Sequence, residues 1–63
     1  MMNVDQARRA QATQEDVFTS EGDAVTISYL YTEPVIGMVA MVSGERHHNR
    51  PVSIENLTAR EDI

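Results

Sequence analysis

The stretch that most constrains this chain is residues 21–42, EGDAVTISYLYTEPVIGMVAMV, which holds most of the large apolar residues available for burial. In its first half Val25, Ile27, Tyr29 and Tyr31 interleave with Thr26, Ser28, Leu30 and Thr32. A period of two is that of a strand buried on one face, so 24–32 is predicted as a strand, with Leu30 interrupting its polar side. Thr32, Glu33 and Pro34 carry the turn out of it. The following run, VIGMVAMV at 35–42, is apolar on both faces. A strand of that kind is either central in a sheet or pressed against a partner. Gly37 inside the run predicts a bulge or a close backbone approach.

The flanks are less informative. Residues 3–16 contain good helix formers behind a capping candidate, Asn3 or Asp5, but the apolar positions are only Val4, Ala7, Ala10 and Ala12. Isolated helices this short are marginal in water, so 1–16 reads as a flexible or helical N-terminal arm on a β domain at 17–63. Val17 and Phe18 form a β-prone patch, and the 20–23 segment has turn chemistry, with Gly22 suited to φ > 0. SGERHHNR at 43–50 reads as the longest polar loop. Pro51 opens a third strand, with Val52 and Ile54 on one side and Ser53 and Glu55 on the other. Residues 59–63 are predicted as a helical turn or a short closing strand.

At 63 residues the chain is one domain at most. Domains of this size bury only about 60% of the surface of their unfolded chain and generally need a disulfide, a metal or a partner. There is no cysteine, which removes disulfides, cysteine zinc sites and thiol catalysis. What remains is self-association or a larger protein partner. Ten acidic residues against five arginines give a formal charge of −5, a field that opposes phosphate backbones. No apolar run approaches the ~20 residues of a membrane span, and the first sixteen residues lack the apolar centre of a signal peptide. A soluble, cytoplasmic protein is expected.

Three phrases in order, Glu21-Gly22-Asp23-Ala24-Val25-Thr26-Ile27, Gly37-Met38-Val39-Ala40-Met41-Val42 and Pro51-Val52-Ser53-Ile54 with Arg60-Glu61-Asp62-Ile63 behind it, resemble the strand skeleton of SH3-like small β-barrels. The same order is found in KOW-type domains, in the PsaE-like subunit of photosystem I and in the plasmid-type dihydrofolate reductase. The resemblance covers roughly residues 21–63 and implies a fold, since its residues are those a tightly bent small barrel needs. The reductase's active-site phrase has no counterpart in PVSIEN, and the basic, aromatic surface of nucleic-acid-binding KOW domains is missing. The implied mode of action is that of a docking module. The expected fold is thus mostly β: a small SH3-like barrel or a strongly bent antiparallel meander, with a weak N-terminal helix or a disordered arm.

Candidate contact residues follow from chemistry. Arg46, His47, His48 and Arg50 make the one locally cationic stretch, and arginine grips carboxylates or phosphates in bidentate fashion. Tyr29 and Tyr31 share a strand face and suit either a core or a binding surface. Met38 and Met41 lie on opposite faces of the second strand; with Leu30 they are the interface candidates, because a small sheet struggles to cover both sides. His47, His48 and Glu45 fall short of four metal ligands, and vicinal residues on a strand point apart, so no metal or cofactor is expected. There is no G-x-S-x-G elbow, P-loop or H-E-x-x-H helix, and the domain is expected to be no enzyme. The leading expectation is a non-enzymatic protein-binding module, an acidic accessory subunit or inhibitor docking on a larger protein or on its own copies. The alternative is a nucleic-acid-binding barrel using the 46–50 loop.

Overall fold

Asn3 opens the chain's α-helix, α1 (Val4–Thr13), in the computed structural model, which describes all 63 residues. Its side chain accepts the Gln6 N–H at 2.8 Å, and the Gln6 side chain accepts the Asn3 N–H at 3.0 Å. Two orphan donors of the first turn are thereby satisfied reciprocally. The helix ends at Gln14, in the left-handed conformation at φ 57°. Ala7 and Ala10 point inward and are buried, as is Met2 just ahead of the helix. Packing therefore makes up for the helix's weak apolar stripe, and of the two states expected for the N-terminus the helical one is present. Arg9 pairs with Glu61, and the Gln6 amide donates to Asp62 at 3.1 Å. Both ends of the chain are thus tied to one another.

Five strands follow: β1 (Val17–Phe18), β2 (Ala24–Glu33), β3 (Gly37–Gly44), β4 (His47–Ser53) and β5 (Thr58–Ala59). They form one antiparallel sheet in the order β4-β3-β2-β1-β5. β4 and β5 are the free edges, so the sheet does not close, and the barrel alternative gives way to the open meander. β1 and β5, at two residues each, are too short to carry the wall of a barrel. A 3-10 turn (Ile54–Asn56) joins β4 to β5 and a second (Arg60–Asp62) follows, so the C-terminus takes both of its expected forms.

The strict alternation predicted for β2 fails at one residue. Ile27 pairs with Val42, and the next pair is Tyr29 with Met41, so Ser28 is an extra residue bulged from the ladder. Before the bulge Val25 and Ile27 face the core; after it Leu30 does, opposite buried Ala40, and Tyr29 and Tyr31 turn to the other side. Leu30 therefore marks the register shift and is no breach of a polar face. The helix holds the bulge: Gln14 Nε2 donates to the Ile27 carbonyl at 3.0 Å and Gln11 Nε2 to that of Ser28 at 3.4 Å. Carbonyls displaced from a ladder need such partners.

Two turns also depart from expectation. The β2–β3 turn is Pro34-Val35-Ile36, so Val35 and Ile36 are exposed turn residues and take no part in the strand. Gly37 opens β3 at φ +92°, with open space where a Cβ would stand. Its backbone angle, and no close neighbour, is what calls for glycine. The 43–50 segment is mostly strand: only Glu45 and Arg46 turn, and β4 begins at His47. An irregularity between Val42 and Gly44 is absorbed opposite Asn49, which sits at φ 45° and takes a bond from the Ser43 hydroxyl. Pro51 lies within β4, which is tolerated because β4 is an edge.

Val17, Val25, Ile27, Val42 and Leu57 are the largest fully buried side chains, and Met2, Ala7, Ala10, Ala40, Ile54 and Ala59 complete one core. The helix and all the strand layers feed that single cluster. The radius of gyration is 10.2 Å, against about 10.6 Å from the scaling for a folded chain of this length.

Candidate functional site

The bulge at Ser28 creates the feature on which a functional reading rests. The core and the helix cover one face of β2–β3–β4; the other is open at Tyr29 and only half-exposed at Tyr31 and Met41, with Val39 buried at its centre. Across that open face run two rows, Tyr31-Val39-Ser53 and Tyr29-Met41-Pro51, set by the strand register. The tyrosine rings stand 5.9 Å apart with their planes tilted by 39°, a favourable aromatic geometry. Tyr29 is 50% exposed and Ile36, at the end of the face, 58%. Tyr31, Ile36, Val39 and Pro51 wall a groove of 390 Å³.

The other sequence candidates divide. Leu30 and Met38 are half-buried against the core, so Met41 is the one of the three interface candidates that lies on the open face. Arg46 is exposed in the two-residue turn, and His48 and Arg50 are exposed on β4. His47 differs from its neighbour. Its side chain is only 9% exposed, with Nε2 at 3.4 Å from Asp23 Oδ2 but not aligned as a hydrogen bond. Its Nδ1 lies 3.4 Å from Arg50 Nη1. No group of three or more His, Asp or Glu side chains converges as a metal ion requires.

Between the 19–23 turn and β4 lies a second, polar cleft of 210 Å³, with Ser20, Glu21, His47, Arg50 and Asn56 in its walls. Pro51, Ser53 and Asn56 line both this cleft and the apolar groove, which flank the edge strand β4 on its two sides. The register sets Tyr31 and Arg50 on opposite faces, Arg50 opposite buried Val42 and Tyr31 opposite Val39. Pro51, Ile36 and the 19–21 segment were missed as contact candidates. The two-sided apolar character of residues 35–42 was the signal for Ile36. Nothing in the sequence signals that the 19–21 turn folds beside β4.

Comparison of the chain with protein-family models, with curated proteins and with solved structures gives no match. No helix is long and apolar enough to cross a membrane. A functional reading therefore rests on this geometry alone.

Proposed function

We propose that the chain is a non-enzymatic protein-binding module, an acidic accessory subunit or inhibitor that docks on a larger protein through the open face of β2–β3–β4. The observation that carries this reading is the bulge-driven turning of Tyr29 and Tyr31 away from the core, beside half-exposed Met41 and exposed Ile36. Tyrosines combine a large apolar area with a polar tip and few rotatable bonds, which suits an interface wetted at its rim. The exposed Arg46 and Arg50 at the hairpin side supply local positive charge on a chain of net charge −5, and such charge sets orientation and partner choice more than raw affinity.

The test is capture from the native host by the immobilised chain, run in parallel with a Tyr29→Ser/Tyr31→Ser double variant whose fold is checked by amide NMR shifts. A protein held by the parent chain and released by the variant supports the reading. Capture that ignores both substitutions refutes it. The nucleic-acid alternative separates by salt, because binding to a polyanion weakens steeply as salt rises. Occupation of the face by a second copy appears as a concentration-dependent mass in sedimentation that the double variant abolishes.

A further inference from the structure

We propose that the groove beside Tyr31 takes an arginine side chain of the docked protein, its stem on the apolar floor and its guanidinium between the Tyr31 ring and the Glu33 carboxylate; this rests on the docking reading above. The strand register builds the groove. After the bulge the outward residues of β2 are Tyr29, Tyr31 and Glu33, so the carboxylate stands next to Tyr31 on the face of the rings. Its partner across the ladder is Gly37, which has no side chain, while Tyr31 lies opposite Val39 and Val39 opposite Ser53. Val39 is 4% exposed yet is not part of the core cluster, so side chains of the outer face are what bury it. It floors the groove of 390 Å³, and Ile36 and Pro51 add apolar walls.

Charge complementarity selects the occupant. Glu33 is the one charged side chain in the walls, and Ser53 and Asn56 are neutral. No arginine or histidine of the chain lines the groove to offset that charge, and no ion pair of the chain uses Glu33. A neighbouring groove of 320 Å³, which shares Ile36 and Ser53, again has a single charged side chain, Glu55. This end of the sheet is therefore apolar and acidic, whereas Arg46 and Arg50 belong to the hairpin at its other end. A wholly apolar occupant would take water from the Glu33 carboxylate and give it no partner, which is costly. An acidic occupant would be repelled. A long apolar stem with a terminal positive charge meets both conditions. Of the two basic side chains, arginine lies flat on an aromatic face and gives a carboxylate two parallel N–H bonds, whereas an ammonium is a point charge. The partner surface is thus basic, in keeping with a chain of net charge −5.

The experiment is an amide-detected NMR titration of the full chain, near neutral pH and at fixed ionic strength, with three capped dipeptide amides: acetyl-leucyl-arginine, acetyl-leucyl-lysine and acetyl-leucyl-citrulline. Citrulline has the shape of arginine without its charge. The arginine peptide is expected to move the amides of Tyr31, Glu33, Ile36 and Val39 in a saturable way, more tightly than the lysine peptide. The citrulline peptide should bind about tenfold or more weakly, the effect of losing charge-assisted bonds. Glu33→Gln should bring the arginine peptide down to the citrulline level and leave the citrulline peptide unaffected. Glu21→Gln, which removes the same charge outside the groove, should change nothing. Tyr31→Leu keeps the wall apolar and should weaken the arginine peptide about two- to fivefold. The arginine site is overturned if the arginine and citrulline peptides bind alike, if the lysine peptide binds as tightly, or if Tyr31→Leu costs nothing. It is also overturned if Glu21→Gln weakens binding as much as Glu33→Gln, which would make net charge the only attraction. Silence of the groove at about 20 mM arginine peptide, where millimolar affinity would saturate, overturns it as well. Equal shifts of Tyr29, Tyr31 and Met41 with all three peptides would sink the arginine site and leave the docking face standing. The docking face falls only if the Tyr29→Ser/Tyr31→Ser capture comparison fails.

Discussion

Replacing Gln14 tests whether the helix holds the bulge that turns the tyrosines outward. Its side-chain amide donates at 2.8 Å to the Gln11 carbonyl and at 3.0 Å to that of Ile27, and its backbone is left-handed at φ 57°. Gln14→Ala removes both bonds and keeps the unfavourable backbone. At about 0.5–1.5 kcal/mol net per bond, the loss is about 1–3 kcal/mol. Gln14→Gly removes the same bonds but relieves the left-handed conformation, which is worth about 1–2 kcal/mol to a residue without a Cβ. The glycine variant is therefore expected to be the more stable of the two by about 1 kcal/mol. For a chain of this size the whole stability is about 3–9 kcal/mol, so either shift is large. Urea unfolding of the parent and both variants gives the free energies, and thermal melts should move by about 4–8 °C per kcal/mol. If Gln14→Ala stays within about 0.5 kcal/mol of the parent, the scatter of inert surface changes, the joint does not hold the bulge. If Ala and Gly variants coincide, the left-handed backbone carries no strain.

Deleting Ser28 should leave a folded chain in which Leu30 still faces Ala40 and both tyrosines still face outward, because the extra residue alone is lost; NOEs between Leu30 and Ala40 check it, and buried tyrosines would contradict the register. Gly44→Ala should destabilise by about 1–3 kcal/mol in urea unfolding, since its Cβ would meet the Ala24 carbonyl oxygen at 2.7 Å and Val25 Cγ1 at 3.1 Å. Leu57→Ala, at a side chain with 0% exposure, should cost about 2–5 kcal/mol and push a chain this small toward unfolding at ambient temperature, read as loss of amide dispersion. Exchanging Arg46 and Arg50 together for Gln should leave the melt within about ±0.5 kcal/mol, because neither side chain is buried or ion-paired; a collapsed melt would make them structural.

The sequence by itself determined a good deal. The alternation around Val25 and Ile27, the turn at Gly22 and the apolar run ending at Val42 specify antiparallel strands, because period, turn chemistry and burial are local properties of neighbouring residues. Asn3 and Gln6 specify the start of the helix in the same way. What the tertiary structure alone decided is on which side things lie. One unpaired serine reverses the faces of β2, and that shift arises because Ser28's neighbours pair with Val42 and Met41 on another strand while Gln11 and Gln14 of the helix take up the nearby carbonyls. The polar segment at 43–50 became a hairpin with His47 packed against Asp23, a pair far apart in sequence and joined by the folding of β3 back onto β2. Alternation can be read along a chain, but a bulge and a pairing partner are set by contacts between segments. The open tyrosine face and the Arg50 cleft are both of that second kind.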